Sequence, residues 1–266
     1  MIGILDSGVG GLSVWKELVN ILPEENYIYV ADSGFCPYGP RPKEEIIDRT
    51  SKISSFLINK GAKLIVVACN TATAGAIDYL RQNFDCPFIG MEPALKPAAL
   101  NSKTGVVGVL ATKGTFKGEL YLRTLHKFAT DATVIEQVGN GLVEIVESGE
   151  IESKEARELL NKYINPMLEK NADHLVLGCT HYPFLIEQIR EIVGKRMEII
   201  NPAPAVAKHT LDVLKEKGLI VDRAKNEYSG SEFYSTSNNL TLIESMVKNI
   251  LGERVDYSQK YSFLTL

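Results

Sequence analysis

One stretch of this chain is written twice. Gly61-Ala62-Lys63-Leu64-Ile65-Val66-Val67-Ala68-Cys69 can be laid on Asn171-Ala172-Asp173-His174-Leu175-Val176-Leu177-Gly178-Cys179 at an offset of 110 positions, with the hydrophobic pattern kept throughout. Glu92-Pro93-Ala94 then matches Asn201-Pro202-Ala203 at an offset of 109, and Ile2-Gly3-Ile4-Leu5-Asp6-Ser7 matches Val107-Gly108-Val109-Leu110-Ala111-Thr112 at an offset of 105. Any one of these could be the ordinary likeness of two buried strands. Three in the same order, at nearly constant offset, favour duplication, and so two related domains.

The rest of the chain fits that plan. Short β-branched runs over 2–5, 27–31, 64–68, 88–91, 105–110, 175–178 and 198–200 read as strands. Stretches of helical periodicity separate them, over 12–22, 43–59, 71–83, 115–128, 154–170, 183–193 and 205–217. Alternating β and α with near-continuous apolar strands predicts an α/β fold of parallel sheets covered on both faces. The end of the chain, 227–266, reads as strand, helix and short strand. At 266 residues and 45% hydrophobic content the chain can bury a sizeable core as one large or two small domains.

Composition excludes several classes. A net charge of -4 gives no reason to expect a nucleic-acid partner. No apolar run approaches the roughly 20 residues of a membrane span, and the start of the chain lacks the pattern of a signal peptide. The four cysteines, Cys36, Cys69, Cys86 and Cys179, are too scattered for a disulfide framework and include no C-x-x-C pair. A cytoplasmic protein with free thiols and no metal is the expectation. Cys36 is read as lining an entrance and Cys86 as packed.

Ligands of open parallel sheets bind beyond the carboxyl ends of the strands, and the unusual polar residues collect there. Asp6-Ser7 follows the first strand, and Gly8-Val9-Gly10-Gly11 opens a helix. Cys69-Asn70-Thr71, Thr112 with Thr115, and Cys179-Thr180-His181 follow three others. Each group sits where a helix begins, so free N–H groups and the helix dipole favour carboxylates and should lower a cysteine pKa.

Plainer readings exist for each. A lone cysteine after a strand is usually inert. The glycine turn could hold phosphate, but it matches neither nucleotide-binding pattern. Thr71 and Thr180 could be helix caps. Cys179-x-His181 could be half a metal site, without a sequence partner to complete it, or a thiol nucleophile with its base, which leaves Cys69 without a role. Two cysteines at equivalent repeat positions fit one chemistry well. Inverting a stereocentre needs a base on one face of a planar carbanion and an acid on the other.

At these residues the chain resembles the glutamate racemases. The motifs are Asp6-Ser7-Gly8-Val9-Gly10-Gly11, Pro37-Tyr38-Gly39, Cys69-Asn70-Thr71-Ala72 and Gly178-Cys179-Thr180-His181-Tyr182-Pro183, in the family's order over almost the whole chain. The resemblance implies two α/β domains with the site at their interface, no cofactor, a homodimer in many members, and supply of D-glutamate for peptidoglycan. The expected division is 1–92 with 207–266 as one domain, closed by the C-terminal segment, and 93–206 as the other. Cys69 and Cys179 become the two acid/base residues, assisted by Asp6 beside Cys69 and His181 beside Cys179. Ser7, Tyr38, Gly39, Asn70, Thr71, Thr112, Thr115 and Thr180 become substrate contacts, along with Asp6 and His181. Glu147 matches a family glutamate near the site, although its context, 139–147, departs from the family's Cys-Pro-rich version. Aspartate racemases share the two-cysteine plan but usually lack the Asp-Ser-Gly-x-Gly-Gly opening and the Pro-Tyr-Gly turn. A non-catalytic binder of acidic metabolites is the alternative from another class.

Overall fold

The apolar runs are strands, and they sort into two parallel sheets in the computed structural model, which describes residues 1–91, 94–129, 132–220, 230–252 and 257–266. The first half comprises β1 (Ile2–Asp6), α1 (Leu12–Ile21), β2 (Tyr27–Ala31), α2 (Lys43–Asn59), β3 (Leu64–Val67), α3 (Asn70–Asn83) and β4 (Phe88–Gly90). The second comprises α4 (Leu95–Asn101), β5 (Val106–Ala111), α5 (Lys113–Lys117), α6 (Glu119–Phe128), β6 (Thr133–Val138), α7 (Leu142–Ser148), α8 (Lys154–Glu169), β7 (His174–Gly178), α9 (Ile186–Val193) and β8 (Glu198–Ile200). The chain then runs through α10 (Ala203–Glu216), β9 (Gly230–Ser235), α11 (Leu240–Leu251) and β10 (Ser258–Phe263).

The sheet orders are β10-β9-β2-β1-β3-β4 and β6-β5-β7-β8. Strands β2-β1-β3-β4 and β6-β5-β7-β8 are therefore one topology used twice. The repeat also carries register: Ile2 pairs with Leu64, and Val107 pairs with His174, the same two positions displaced by 105 and 110 residues. Packing is repeated with it. A Cβ on Gly3 would lie 3.2 Å from Leu57 Cδ1 of α2, and one on Gly108 would lie 2.5 Å from Met167 Sδ of α8. In both halves a bare strand backbone lets the helix sit close. Both helices end alike as well, with left-handed residues at Gly61 (φ 91°) and Asn171 (φ 59°), and with Ala62 and Ala172 N–H donating to the carbonyls of Leu57 and Met167 at 3.0 Å. Asparagine is among the few residues that tolerate this conformation.

The halves are not separate cores. One apolar cluster joins Ile2, Ile4 and Trp15 of the first to Leu142, Leu177 and Tyr182 of the second. The C-terminal strands extend only the first sheet. Trp15 Nε1 donates to Ser231 Oγ at 3.0 Å, and the indole meets the Phe233 ring edge-on at 5.2 Å between centroids. Fully burying one such aromatic contributes roughly 2–3 kcal/mol. Among the described residues no helix is long and apolar enough to cross a membrane.

Three expectations need correction. The helix over 115–128 is two, because Gly118 is extended (ψ 136°) and lies so close to α3 that a Cβ would be 2.4 Å from that of Ala74. The helix over 183–193 starts at Ile186, after a 3₁₀ turn over Tyr182–Leu185 that contains Pro183. Strand β6 and helices α4 and α7 are additional elements. Positions Glu92, Pro93 and 227–229, named in the repeat and the C-terminal reading, lie outside the described residues.

Candidate active site

Both cysteines end equivalent strands, and their side chains line one cavity between the two sheets. Cys69 is 5% exposed and Cys179 is 6% exposed. The cavity is also lined by Ser7, Tyr38, Gly39, Asn70, Thr71, Thr112, Thr180 and His181, together with Pro37 and Val143, which the sequence did not single out. Asp6, Thr115 and Glu147 stand one hydrogen bond behind this lining. Four of the six segments that supply the wall leave the carboxyl end of a strand: Ser7 after β1, 69–71 after β3, Thr112 after β5 and 179–181 after β7. The other two are 37–39, which contains Tyr38, and Val143 of α7.

The glycine turn 8–11 serves the contact between the halves. A Cβ on Gly8 would lie 1.8 Å from Glu147 Oε1, and one on Gly10 would lie 2.4 Å from His181 Nδ1. The turn is bare because α7 and the segment after β7 come down onto it. The joint is then bolted by polar contacts. Val9 N–H donates to Glu147 Oε1 at 2.6 Å, Ser13 Oγ to the Thr180 carbonyl at 3.0 Å, and Thr180 Oγ1 to Asp6 Oδ2 at 3.1 Å. On the far side Thr71 Oγ1 and Thr112 Oγ1 meet at 2.8 Å, and Thr112 meets Thr115 at 3.0 Å.

Tyr38 is held from behind. Asp32, fully buried, accepts from Tyr38 Oη at 2.6 Å, from Arg49 Nε and Nη2 at 2.9 and 2.6 Å, and from Thr236 Oγ1 at 2.8 Å. The forked Arg–carboxylate contact fixes the turn with a geometry lysine could not give.

The two thiols are equipped differently. Cys69 caps α3: its Sγ accepts from Ala72 N–H at 3.4 Å and lies 3.7 Å from Ser7 Oγ. Cys179 begins no α-helix; the 3₁₀ turn follows it, and its Sγ is 3.6 Å from His181 Nδ1. His181 Nε2 in turn meets Glu147 Oε1 at 2.7 Å. The expectation that the helix dipole lowers a cysteine pKa fails at Cys69. Burial, reinforced by the Asp6 carboxylate, pushes this thiol up to about 12 despite the N–H of Ala72. Burial likewise lifts Asp6 to about 6, against the opposing pull of His181 and the Gly8 N–H. Burial alone would depress His181, but Cys179, Cys36 and Glu147 around it hold its proton well above the usual imidazole range.

Asp6 acts on Cys69 through space, since its hydrogen bonds go to Gly8 N–H at 2.8 Å and to Thr180. His181 does stand beside Cys179. Glu147, whose local sequence departs from the family pattern, is fixed in the site by His181 and Val9. Asn70 Nδ2 is buried with no hydrogen-bond partner among the described residues, a donor left for an occupant of the cavity that Asn70 lines. Sequence spacing offered no partner for Cys179-x-His181 as a metal site. The fold brings Cys36, half-buried, and Glu147 to within 4.8 Å of His181.

Comparison with known proteins finds relatives over most of the chain. Residues 2–210 match the family model described as Asp/Glu/Hydantoin racemase. A glutamate racemase of Ralstonia pickettii is 46% identical over 252 residues, 95% of this chain and 88% of that one. Among solved structures, a glutamate racemase isoform of Bacillus anthracis superposes with a TM-score of 0.87 at 32% identity, covering 100% of this chain and 97% of that one. The Francisella tularensis glutamate racemase, solved in complex with D-glutamate, gives 0.81 at 29% identity, with 98% and 97% covered.

Proposed function

This chain belongs to the Asp/Glu/hydantoin racemase family and is an amino-acid racemase; we propose that it interconverts L- and D-glutamate without a cofactor, by proton transfer between Cys69, the substrate α-carbon and Cys179. The observation that carries the reading is that both thiols, from equivalent strand ends of a duplicated fold, face one cavity. A planar carbanion between them is reached by one sulfur on each face. The abstracting sulfur takes the α-proton as a thiolate, and the opposite thiol returns one to the other face. Positioned proton donors and acceptors of this kind contribute about 10²–10⁴ in rate each.

The surroundings suit a dicarboxylate. Among the described residues no Lys or Arg lines the cavity; Asn70 Nδ2, the hydroxyls of Ser7, Thr71 and Thr112, and the amino end of α3 are the donors available to carboxylates, while the Thr180 hydroxyl is committed to Asp6. His181 relays a proton at Cys179 and Glu147 orients the ring. Asp6 acts on the Cys69 side. Tyr38 and Gly39 close the wall, with Thr115 behind Thr112. The cavity measures about 10 Å³, room for about one water, so admitting glutamate requires the cavity to widen. We further propose a cytoplasmic homodimer whose D-glutamate supplies peptidoglycan.

The test is purified protein stripped of pyridoxal phosphate and metal, assayed with each enantiomer in deuterated water. Glutamate should racemise and acquire deuterium at the α-carbon, with aspartate run in parallel. Preference for aspartate would overturn the substrate, and full activity in either Cys69→Ser or Cys179→Ser would overturn the two-base mechanism.

A further inference from the structure

Racemisation gives Cys36 no role, yet its thiol is held against two residues that do have one. Cys36 follows the 3₁₀ turn Ser33–Phe35 of the first half, Glu147 lies on α7, and His181 follows β7. Three separate elements thus bring a sulfur, a carboxylate oxygen and an imidazole nitrogen within 4.8 Å of one another. Cys36 and Glu147 are each only partly buried, whereas His181 is buried.

This donor set suits a borderline-soft divalent ion. Sulfur, nitrogen and carboxylate oxygen are the three ligand types of Zn²⁺, at about 2.3, 2.0–2.1 and 2.0–2.2 Å, and three protein ligands leave a fourth position for water. Ligand atoms around such an ion stand about 3.3–3.8 Å apart, so binding asks for side-chain shifts on the order of 1 Å. The 2.7 Å contact between His181 and Glu147 opens as the three ligand atoms settle around the ion.

We propose that Cys36, Glu147 and His181 form an inhibitory site for a thiophilic divalent cation, with Zn²⁺ the fitting ion. The metal replaces the proton of the Cys36 thiol and the proton on the ligating His181 nitrogen, and both leave to solvent. No electron moves and no carbon bond forms. With its ring held by metal, His181 no longer exchanges a proton with Cys179, and turnover stops. The inhibition rests on the functional reading given above, whereas the binding does not.

The experiment uses metal-free full-length protein and Co²⁺ as a spectroscopic stand-in for Zn²⁺. One equivalent of Co²⁺ should raise a thiolate-to-cobalt charge-transfer band together with intense tetrahedral ligand-field bands. Zn²⁺ should displace it, and should inhibit racemisation reversibly on addition of chelator. Cys36→Ser, with inhibition read against its own metal-free rate, should lose the charge-transfer band and need at least tenfold more Zn²⁺ for half-inhibition, while Cys86→Ser should behave as the parent. An unchanged band and unchanged inhibition in Cys36→Ser would overturn the site, because the metal would then sit on Cys69 or Cys179. Should Cys36→Ser fail to fold, X-ray absorption of the Zn²⁺-loaded parent decides. One sulfur at about 2.3 Å with nitrogen and oxygen neighbours supports the site, and two sulfurs, or no bound metal, overturn it. Absence of glutamate racemisation in the parent would leave the cobalt bands intact and so sink the functional reading alone.

Discussion

The two halves share a scaffold but not their equipment. Strand order, register, the bare glycine under the helix and the left-handed helix end all recur at 105–110 residues' distance. Beyond the strand ends the likeness stops. Cys69 is tucked into the start of the 14-residue helix α3, with an N–H and a hydroxyl as partners. Cys179 meets a 3₁₀ turn and stands beside the buried His181, which is paired with the partly buried Glu147. Equivalent strand ends supply two sulfurs that line one cavity, and each has different partners. On the proposed two-base mechanism, taking either enantiomer needs the first and can use the second.

The sharpest way to break this comparison is to remove the relay on one side only. His181→Ala should cost racemisation about 10²-fold. Enantiomers are isoenergetic, so kcat/KM must fall equally in both directions. The asymmetry should instead appear in the α-deuterium isotope effect, which should rise for the enantiomer that Cys179 deprotonates and stay near the parent value for the other. Equal isotope effects in both directions would mean that His181 does not serve Cys179 in particular.

A second way turns on Asp6, the buried carboxylate at the joint. Its folded value of about 6 lies above its ordinary value of 3.8, so the folded protein binds this proton more tightly than the unfolded chain does. The sign follows: the stabilisation from protonated Asp6 is fully present below pH 3.8 and is lost as pH rises through about 6. The gap of about two pH units corresponds to roughly 3 kcal/mol. Asp6→Asn, which cannot ionise, should therefore gain stability on the parent by up to about 3 kcal/mol between pH 4 and pH 7, while its racemisation falls. Urea unfolding of both proteins at several pH values checks this. A relative stability that is flat or declines with pH would show that Asp6 is not strained by burial.

Much of the scaffold was legible because parallel strands buried on both faces read as unbroken apolar runs. Tyr27–Ala31 and Leu64–Val67 could hardly be anything else. Strand β6 was not, because Thr-Val-Ile-Glu-Gln-Val at a sheet edge keeps partly exposed polar positions and carries no run. Helix α7 hid for another reason. It is seven residues long between left-handed Gly141 and Gly149, and a Gly-Asn-Gly opening reads as turn. That miss left Glu147 without support in the sequence, since its role depends on where α7 sets it. The cysteines, His181 and the threonines were legible by position at strand ends. Asp32 with Arg49 behind Tyr38, Val143 in the wall, and Cys36 beside His181 depend on contacts between distant segments that no local pattern encodes.

The smallest effect tests the repeat itself, far from the chemistry. Gly3 and Gly108 occupy equivalent strand positions, but the space over them differs. Alanine at Gly3 would bring Cβ to 3.1 Å from Ala62 Cβ and 3.2 Å from Leu57 Cδ1, tight but relieved by small shifts. Alanine at Gly108 would set Cβ 2.5 Å from Met167 Sδ, and Met167 is fully buried, so even its flexible chain has little room to swing. Overpacking of this kind costs about 1–3 kcal/mol, offset by the roughly 0.4–1 kcal/mol that alanine gains over glycine through the unfolded chain. Gly3→Ala should thus be near neutral and Gly108→Ala destabilising by about 1–2 kcal/mol, and Met167→Ala should recover part of the loss in the Gly108→Ala background. Equal costs at the two positions, or no recovery, would mean that helix α8 lies no closer over β5 than α2 lies over β1.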